Sequence, residues 1–118
     1  MMSTAHAQGY RAPMDEVVNA VRSNRVTDIS RYFDNFVPIN INNSTSNYSR
    51  NQAELVLHDF FDKNPPRDFK VMDSGSPSSN TTFTISAFSS PNGRFNIYIL
   101  MRQKDNTYVI KEIRISKE

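Results

Sequence analysis

The stretch Ser49–Pro66, which reads SRNQAELVLHDFFDKNPP, decides the fold of this chain. Ser49 and Gln52 have the spacing of a capping box at a helix start, and the Asn-Pro-Pro run that begins at Asn64 ends the helix. Between them, apolar residues recur at the spacing of a helix with one buried face. These apolar residues are Ala53, Val56, Leu57, Phe60 and Phe61. The sequence therefore predicts a long amphipathic helix over Arg50–Lys63.

Two shorter helices and one strand are predicted before this helix. A first helix is predicted to start at Pro13, which suits the first helical turn, and Thr27 is a candidate N-cap for a second helix. The segment Phe36–Ile41 alternates with the period of a strand. Because Pro38 has no N–H to donate to a neighbouring strand, this strand is predicted to lie at a sheet edge. The polar segment 42–47 is predicted to be a loop.

The chain after the long helix is predicted to be β structure. Residues 74–80 include a glycine and a proline, which predict a loop. Alternation places Phe83, Ile85 and Ala87 on the core side of the strand that follows. The core side of the next strand is predicted to carry Phe95, Ile97, Ile99 and Met101. The four predicted strands are Phe69–Met72, Thr82–Phe88, Arg94–Lys104 and Tyr108–Ser116.

The last of these strands has a fault in its alternation. Tyr108 and Ile110 share one parity, whereas Ile113 and Ile115 share the other. In an unbroken strand the two pairs face opposite sides of the sheet. One extra residue at positions 111–112 brings both pairs to the core side, so we predict a β-bulge there.

Composition and charge exclude several classes of site. The 118 residues suit one domain, which we place over residues 13–118 after a mobile tail over residues 1–12. The absence of cysteine excludes disulfides and cysteine-based zinc sites. The 14 basic and 12 acidic residues are interleaved near the C-terminus, so no nucleic-acid-binding patch is predicted. No apolar run approaches the roughly 20 residues that cross a bilayer.

The predicted order α-α-β-α-β-β-β-β, with a bent antiparallel sheet around the long helix, resembles the α+β cone of nuclear-transport-factor-2-like, or cystatin-like, proteins. The runs Tyr48–Ala53 and Asp59–Pro66, with a strand beginning at Phe69, are similar to an exported bacterial family of unknown function that has this fold. The segments Arg94–Tyr98 and Ile113–Ile115 are also similar to that family. The resemblance implies export, and a fold that often dimerises through its sheet; it implies no activity.

The N-terminal segment agrees with export. Ala5, His6 and Ala7 have the small-x-small form of a signal-peptidase cleavage site. We interpret this segment as the remnant of a signal peptide, which predicts a periplasmic or cell-surface protein. The alternative is a chance match in the tail.

No catalytic, cofactor or metal site is predicted. His58 and Asp59 are neighbours on the long helix, so their side chains diverge by about 100° and His58 is expected at the surface. Three glycines, at positions 9, 75 and 93, are too scattered for a phosphate-binding loop. Two histidines without paired spacing predict no zinc site.

Two binding surfaces are predicted instead. Phe88, Tyr98 and Leu100 are expected on the outer face of the sheet, where an apolar cluster favours a homodimer interface. Inside the cone, a cavity for a small apolar ligand is predicted, with a filled core as the alternative. The residues expected to line this cavity are Tyr32, Phe36, Phe61 and Met101.

The sequence therefore favours a non-enzymatic exported protein that acts by binding itself, a partner or a small ligand. The alternative is an enzyme that acts on a small hydrophobic substrate inside the cone, with a tyrosine or histidine as the acid. A closed apolar interior favours binding, whereas a polar group at the base of an open pocket favours catalysis.

Overall fold

The structure, a computed structural model, describes residues 11–118 as three helices and six strands. The predicted signal-peptide remnant at residues 5–7 lies outside the described residues. The helices are α1 (Arg11–Arg22), α2 (Val26–Ser30) and α3 (Arg50–Lys63). The strands are β1 (Phe36–Ile41), β2 (Ser44–Ser49), β3 (Arg67–Ser78), β4 (Thr81–Ser90), β5 (Gly93–Lys104) and β6 (Thr107–Lys117). Within residues 11–118, no helix combines the length and the apolar character needed to cross a bilayer.

The six strands form one sheet in the order β2-β1-β6-β5-β4-β3. Neighbouring strands pair antiparallel except β1 and β6, which run parallel. The helices cover the inner face of this sheet, and side chains from both layers form one continuous apolar core. The predicted α+β fold is confirmed, with the parallel pair as its one departure from an antiparallel sheet.

Helix α3 begins and ends where the sequence predicts. The Ser49 hydroxyl accepts a hydrogen bond from the backbone N–H of Gln52, and the Gln52 side chain accepts one from the backbone N–H of Ser49. This capping box satisfies two N–H groups that a helix start otherwise leaves without partners. Ala53, Leu57, Phe60 and Phe61 are buried and Val56 is half-buried, which confirms the predicted apolar stripe.

The predicted β-bulge in the last strand is confirmed. Leu100 of β5 lies opposite Glu112, whereas the next residue, Met101, lies opposite Ile110. Lys111 is therefore the extra residue of β6. Because of this bulge, the apolar residues on both sides of it face the core.

The predicted loop over residues 42–47 is wrong. Asn42 and Asn43 form a two-residue turn with φ angles of 51° and 74°, and the chain returns as β2 beside β1. Positive φ at both residues suits the twist of a tight hairpin. β2 lies at the sheet edge and is exposed over most of its length, so it carries no apolar alternation that could predict a strand.

The predicted edge position of β1 is also wrong. β1 lies between β2 and β6, and Pro38 is opposite Asn47 of β2. The parallel pairing with β6 starts only at Ile39, which lies opposite Ile113. Pro38 lies just before this ladder, so its missing N–H interrupts none of the β1–β6 pairs.

Strand β3 replaces a predicted short strand over Phe69–Met72 and a predicted loop over residues 74–80. It runs from Arg67 to Ser78 at the second edge of the sheet. Its pairing with β4 shifts register three times, and each shift leaves one extra residue on β3. Such bulges disturb an exposed edge and disfavour pairing with another chain.

The side chains of β4 face the opposite way from the prediction. Thr82, Thr84 and Ser86 are buried on the inner face, whereas Phe83 and Ile85 lie half-buried on the outer face. The register with β5 gives the physical reason. Thr82, Thr84 and Ser86 each lie opposite a residue of β5 that faces inward, and Phe88 lies opposite the inward Phe95. Residues that pair directly across two strands point to the same face, so these four side chains of β4 also face inward. Ala87, the third residue predicted on the core side, is buried although it alternates in step with the outward Phe83 and Ile85.

Two predicted helix starts are also wrong. α1 already includes Arg11, two residues before Pro13, so the helix begins inside the tail predicted over residues 1–12. Arg25 occupies the N-cap position of α2 and makes no capping hydrogen bond with its side chain. Thr27 lies within the helix, and its hydroxyl is 3.5 Å from a carboxylate oxygen of Glu54 on α3.

Candidate functional site

The four residues predicted to line an internal cavity do not surround one. Phe61 and Met101 are fully buried in the core, and Tyr32 packs against the core half-buried. Phe36 points away from them, with 61% of its surface exposed. Phe61 and Met101 therefore fill the core, which is the alternative to a cavity.

Four phenylalanines fill the space between α3 and the sheet. Phe60 meets Phe61 and Phe95 edge-to-face, with ring centroids 5.1 and 5.2 Å apart. Phe88 stacks on Phe95 at 5.7 Å and lies 6.0 Å from Phe61. Packed aromatic rings of this kind contribute both buried area and favourable ring–ring geometry. Any ligand site therefore has to lie outside this cluster.

The three residues predicted to form a dimer surface do not all lie on the outer face of the sheet. Phe88 is fully buried, so its expected exposure on the outer face is wrong. Tyr98 and Leu100 do lie half-buried on the outer face, opposite Ile85 and Phe83 of β4. We call these four side chains the outer cluster. The Phe83 and Tyr98 rings are 6.1 Å apart.

Charged side chains of β6 border the outer cluster. The Arg114 guanidinium lies 5.3 Å from the centre of the Tyr98 ring and 2.5 Å from the Glu112 carboxylate. The Glu112 hydrogen bond is the main cause that raises the pKa of Arg114. An apolar centre with a charged border is the usual anatomy of a protein interface.

An open groove of about 650 Å³ lies between α3 and the strand ends that face it. We call it the α3 groove. Its apolar residues are Ile41, Tyr48, Leu55, Val56, Phe60 and Phe95, and its polar residues are Asn42, Asp59, Lys63, Asn64, Asn92 and Lys117. Ligand sites typically have this size and this mixture of an apolar lining with a few polar groups.

Leu55 is the most exposed apolar residue of the α3 groove. It lies on α3 with 68% of its surface exposed, beside the half-buried Val56. Ile41 and Tyr48 from β1 and β2 complete the apolar surface that solvent can reach. The sequence pattern does not single out Leu55, because this residue lies off the buried stripe of α3. The sequence feature that could identify Leu55 is an aliphatic residue on the otherwise polar side of a helix.

The rim of the α3 groove carries more positive than negative charge. Lys63 and Asp59 form an exposed ion pair at 3.3 Å. Lys117, from the end of β6, makes no side-chain hydrogen bond or ion pair with any residue of the described chain. Of the two lysines at the rim, Lys117 is therefore the one whose ammonium group is available to a bound molecule.

Asn64 fixes one end of the α3 groove. Its amide is buried, and it donates a hydrogen bond of 3.1 Å to the Phe60 carbonyl. The amide oxygen accepts hydrogen bonds of 3.0 Å from Ser90 and from Asn92. Asn92 also donates to the Lys63 carbonyl at 3.0 Å. The Asn-Pro-Pro run therefore does more than end α3, since its asparagine attaches the helix to the β4–β5 turn.

The titratable residues considered for catalysis lie at the surface or are paired. His58 is 3.6 Å from Glu54 on the same helix, at a half-buried surface position, and it lines none of the grooves. Tyr32 donates a hydrogen bond to Glu16. Burial, followed by this hydrogen bond, raises the pKa of Tyr32 to about 12, so the phenol stays protonated at neutral pH.

A smaller charged groove surrounds the exposed Phe36. Asp34 and Lys104 form an ion pair at 2.7 Å, and the hydrogen bond from Lys104 is the main cause that lowers the pKa of Asp34. Lys111, the bulge residue, lines the same groove. No group of three or more metal-ligating side chains occurs in residues 11–118.

Among curated proteins, none matches this chain significantly. Many solved structures are similar to it, among them the following three. A DUF4783 family protein from Bacteroides fragilis YCH46 shares 31% identity over 87% of this chain and 96% of its own, with a TM-score of 0.80. An NTF-2-like protein of unknown function from Silicibacter pomeroyi DSS-3 shares 12% identity over 100% of both chains, with a TM-score of 0.67.

A domain of unknown function with a cystatin-like fold, from Nostoc punctiforme PCC 73102, shares 12% identity over 98% of this chain and 78% of its own, with a TM-score of 0.70. The last two similarities show the fold alone, and they agree with the cone-like architecture inferred from the sequence. The domain of unknown function DUF4783 matches residues 14–116, nearly all of the described chain. The protein therefore belongs to the DUF4783 family, a family of unknown function.

Proposed function

We propose that this protein acts by binding, and that it holds a small amphipathic molecule in the α3 groove. The observation that carries the proposal is the solvent-accessible apolar surface of this groove, where Leu55 is 68% exposed. An apolar surface left open inside a concave site is stabilised when a ligand covers it. The aromatic cluster that fills the interior, and the surface position of His58, support binding over catalysis.

The chemistry of the rim favours a ligand with an anionic end. The ligand's apolar body covers Leu55 and Val56, and its head group lies near the free ammonium of Lys117. A medium-chain carboxylate such as decanoate has these two parts. The groove's volume of about 650 Å³ lies within the range of small-molecule sites.

Replacing Leu55 by serine tests the proposal. We expect decanoate to bind the wild-type protein and to bind Leu55→Ser about five- to tenfold more weakly, because the ligand then covers less apolar surface. Isothermal titration calorimetry measures both affinities. Since Leu55 is mostly exposed, the substitution should change the free energy of unfolding little.

Met72→Ser is the matched control, because Met72 is 58% exposed on β3 and lines neither the α3 groove nor the groove around Phe36. It should bind decanoate as the wild type does. Equal weakening by both substitutions, or no heat of binding in the wild type, would contradict the proposed ligand site.

A second candidate function is self-association through the outer cluster. Its four members, Phe83, Ile85, Tyr98 and Leu100, are half-buried and contiguous across β4 and β5. Pairing two such surfaces buries apolar area and keeps the charged groups of β6 at the border.

Tyr98→Asp should shift this association toward the monomer. The substitution places a carboxylate within an apolar surface, and burying it against a second copy costs free energy. Sedimentation equilibrium at high micromolar concentration should show a dimer for the wild type and for the control Thr107→Asp, which is exposed at the start of β6. A wild-type monomer, unchanged by Tyr98→Asp, would remove the interface.

The proposal includes an exported protein. The small-x-small run at residues 5–7 supports it, and the absence of cysteine is compatible with it. Fractionation of the native cells should find the protein in the periplasmic or surface fraction. Recovery from the cytoplasmic fraction alone would contradict this location.

A further inference from the structure

A third groove, of about 330 Å³, lies between α1 and β3 above the inner face of β4. We call it the α1 groove. Met14 and Val18 of α1 and Val71 of β3 form its apolar walls. The neighbouring part of β3 shifts register between Val71 and Asp73 and again after Gly75. These bulges bend the edge strand next to the groove.

The floor of the α1 groove holds a hydroxyl group that has no hydrogen-bond partner among residues 11–118. Thr84 is 4% exposed, and its side chain makes no hydrogen bond with any residue of the described chain. In residues 11–118, every side-chain polar atom that is fully enclosed has a hydrogen-bond partner. Since the Thr84 oxygen has none, it is not fully enclosed and reaches the open space of the groove that it lines. The adjacent Thr82, in contrast, donates to the Gly75 carbonyl at 3.1 Å.

Because the Thr84 hydroxyl reaches the groove and has no partner among residues 11–118, it can hydrogen-bond a molecule in the groove. A bound molecule with a polar atom next to Thr84 makes that bond. The hydroxyl can donate or accept, so it does not by itself decide the charge of the ligand.

Among the described residues that line the α1 groove, one side chain is charged. Asp15 is the only charged side chain among its lining residues, and it forms no ion pair within the described part of the chain. A carboxylate beside apolar walls attracts a cation and repels an anion. This preference is opposite to that of the α3 groove.

We infer that the α1 groove binds a small primary amine with a short aliphatic body. The ammonium group, which has three N–H donors, pairs with Asp15 and donates to the Thr84 oxygen. The aliphatic body packs against Met14, Val18 and Val71. The inference rests on a different groove from the proposed function and stands or fails separately from it.

Isopentylamine tests this inference, with isovalerate as a ligand of nearly the same shape and opposite charge. Titrations followed by ¹H–¹⁵N NMR in phosphate buffer should give a dissociation constant of about 1 mM for the amine. The shifted amides should cluster at Met14, Val71 and Thr84. Isovalerate should leave these three amides unshifted.

Two substitutions separate the charge from the hydroxyl. Asp15→Asn should weaken amine binding about fivefold or more, and Thr84→Val, which keeps the shape of the side chain, should weaken it about threefold. Asp62→Asn removes the same charge from an exposed position on α3 and should change nothing. Equal shifts with isovalerate, full affinity in Asp15→Asn, or no shift at about tenfold above that constant would overturn the inference.

Discussion

Replacement of Phe88 by alanine is expected to lower the free energy of unfolding by about 3–5 kcal/mol. Phe88 is fully buried and contacts the rings of Phe61 and Phe95. Its removal leaves a cavity between α3 and the sheet that the rigid aromatic neighbours fill only in part. Urea denaturation followed by circular dichroism measures the loss.

Phe83→Ala is the matched control on the same strand. Phe83 lies half-buried on the outer face and contacts Tyr98, so its loss should cost only about 1 kcal/mol. The two phenylalanines differ in which face of β4 they occupy. An equal or larger loss for Phe83→Ala would show that the strand faces the other way, as the alternation of the sequence alone suggests.

Asn64→Ala is expected to lower the free energy of unfolding by about 2–3 kcal/mol. The substitution removes three hydrogen bonds of a buried amide and leaves the Ser90 hydroxyl, the Asn92 amide and the Phe60 carbonyl without that partner. The attachment between α3 and the β4–β5 turn is then lost. The same denaturation experiment measures the effect.

Asn47→Ala provides the comparison for Asn64. Asn47 is exposed on the edge strand β2, so its replacement should change stability by less than about 0.5 kcal/mol. Asn64→Asp keeps an acceptor oxygen but buries a carboxylate beside the Phe60 carbonyl, so it should destabilise the protein at least as much as Asn64→Ala. A cost for Asn64→Ala no larger than that for Asn47→Ala would contradict the attachment role.

Features that depend on neighbours in sequence could be predicted from the sequence. The capping box at Ser49 and the end of α3 at Asn64 are local, and so is the parity change that located the bulge at Lys111. The apolar stripe of α3 could also be predicted, because a helix buries one face at a fixed residue spacing. Together with the strand count near the C-terminus, these features were enough for the fold class.

Features that depend on pairing partners could not be predicted. β2 and most of β3 lie at exposed edges, where no buried face imposes an apolar pattern. On β4 the pattern was present but misleading, because threonine and serine face inward at Thr82, Thr84 and Ser86. The register with β5 decides that orientation, and the register is a tertiary property.

The grooves are a still clearer case. The α3 groove combines Ile41, Leu55, Asn92 and Lys117, which are distant in sequence and adjacent only in the folded sheet. The single local signal was Leu55, an aliphatic residue off the buried stripe. Thr84 in the α1 groove gave no signal, because a threonine in a strand is ordinary until its surroundings are known.

The central claim, that the α3 groove holds a small amphipathic molecule, is tested most directly by mapping decanoate with ¹H–¹⁵N NMR. We expect the amides of Tyr48, Leu55 and Asn92 to shift together and to saturate with one dissociation constant. Amides of the outer cluster should not shift. Shifts confined to other surfaces, or no saturable shift in the α3 groove, would contradict the claim.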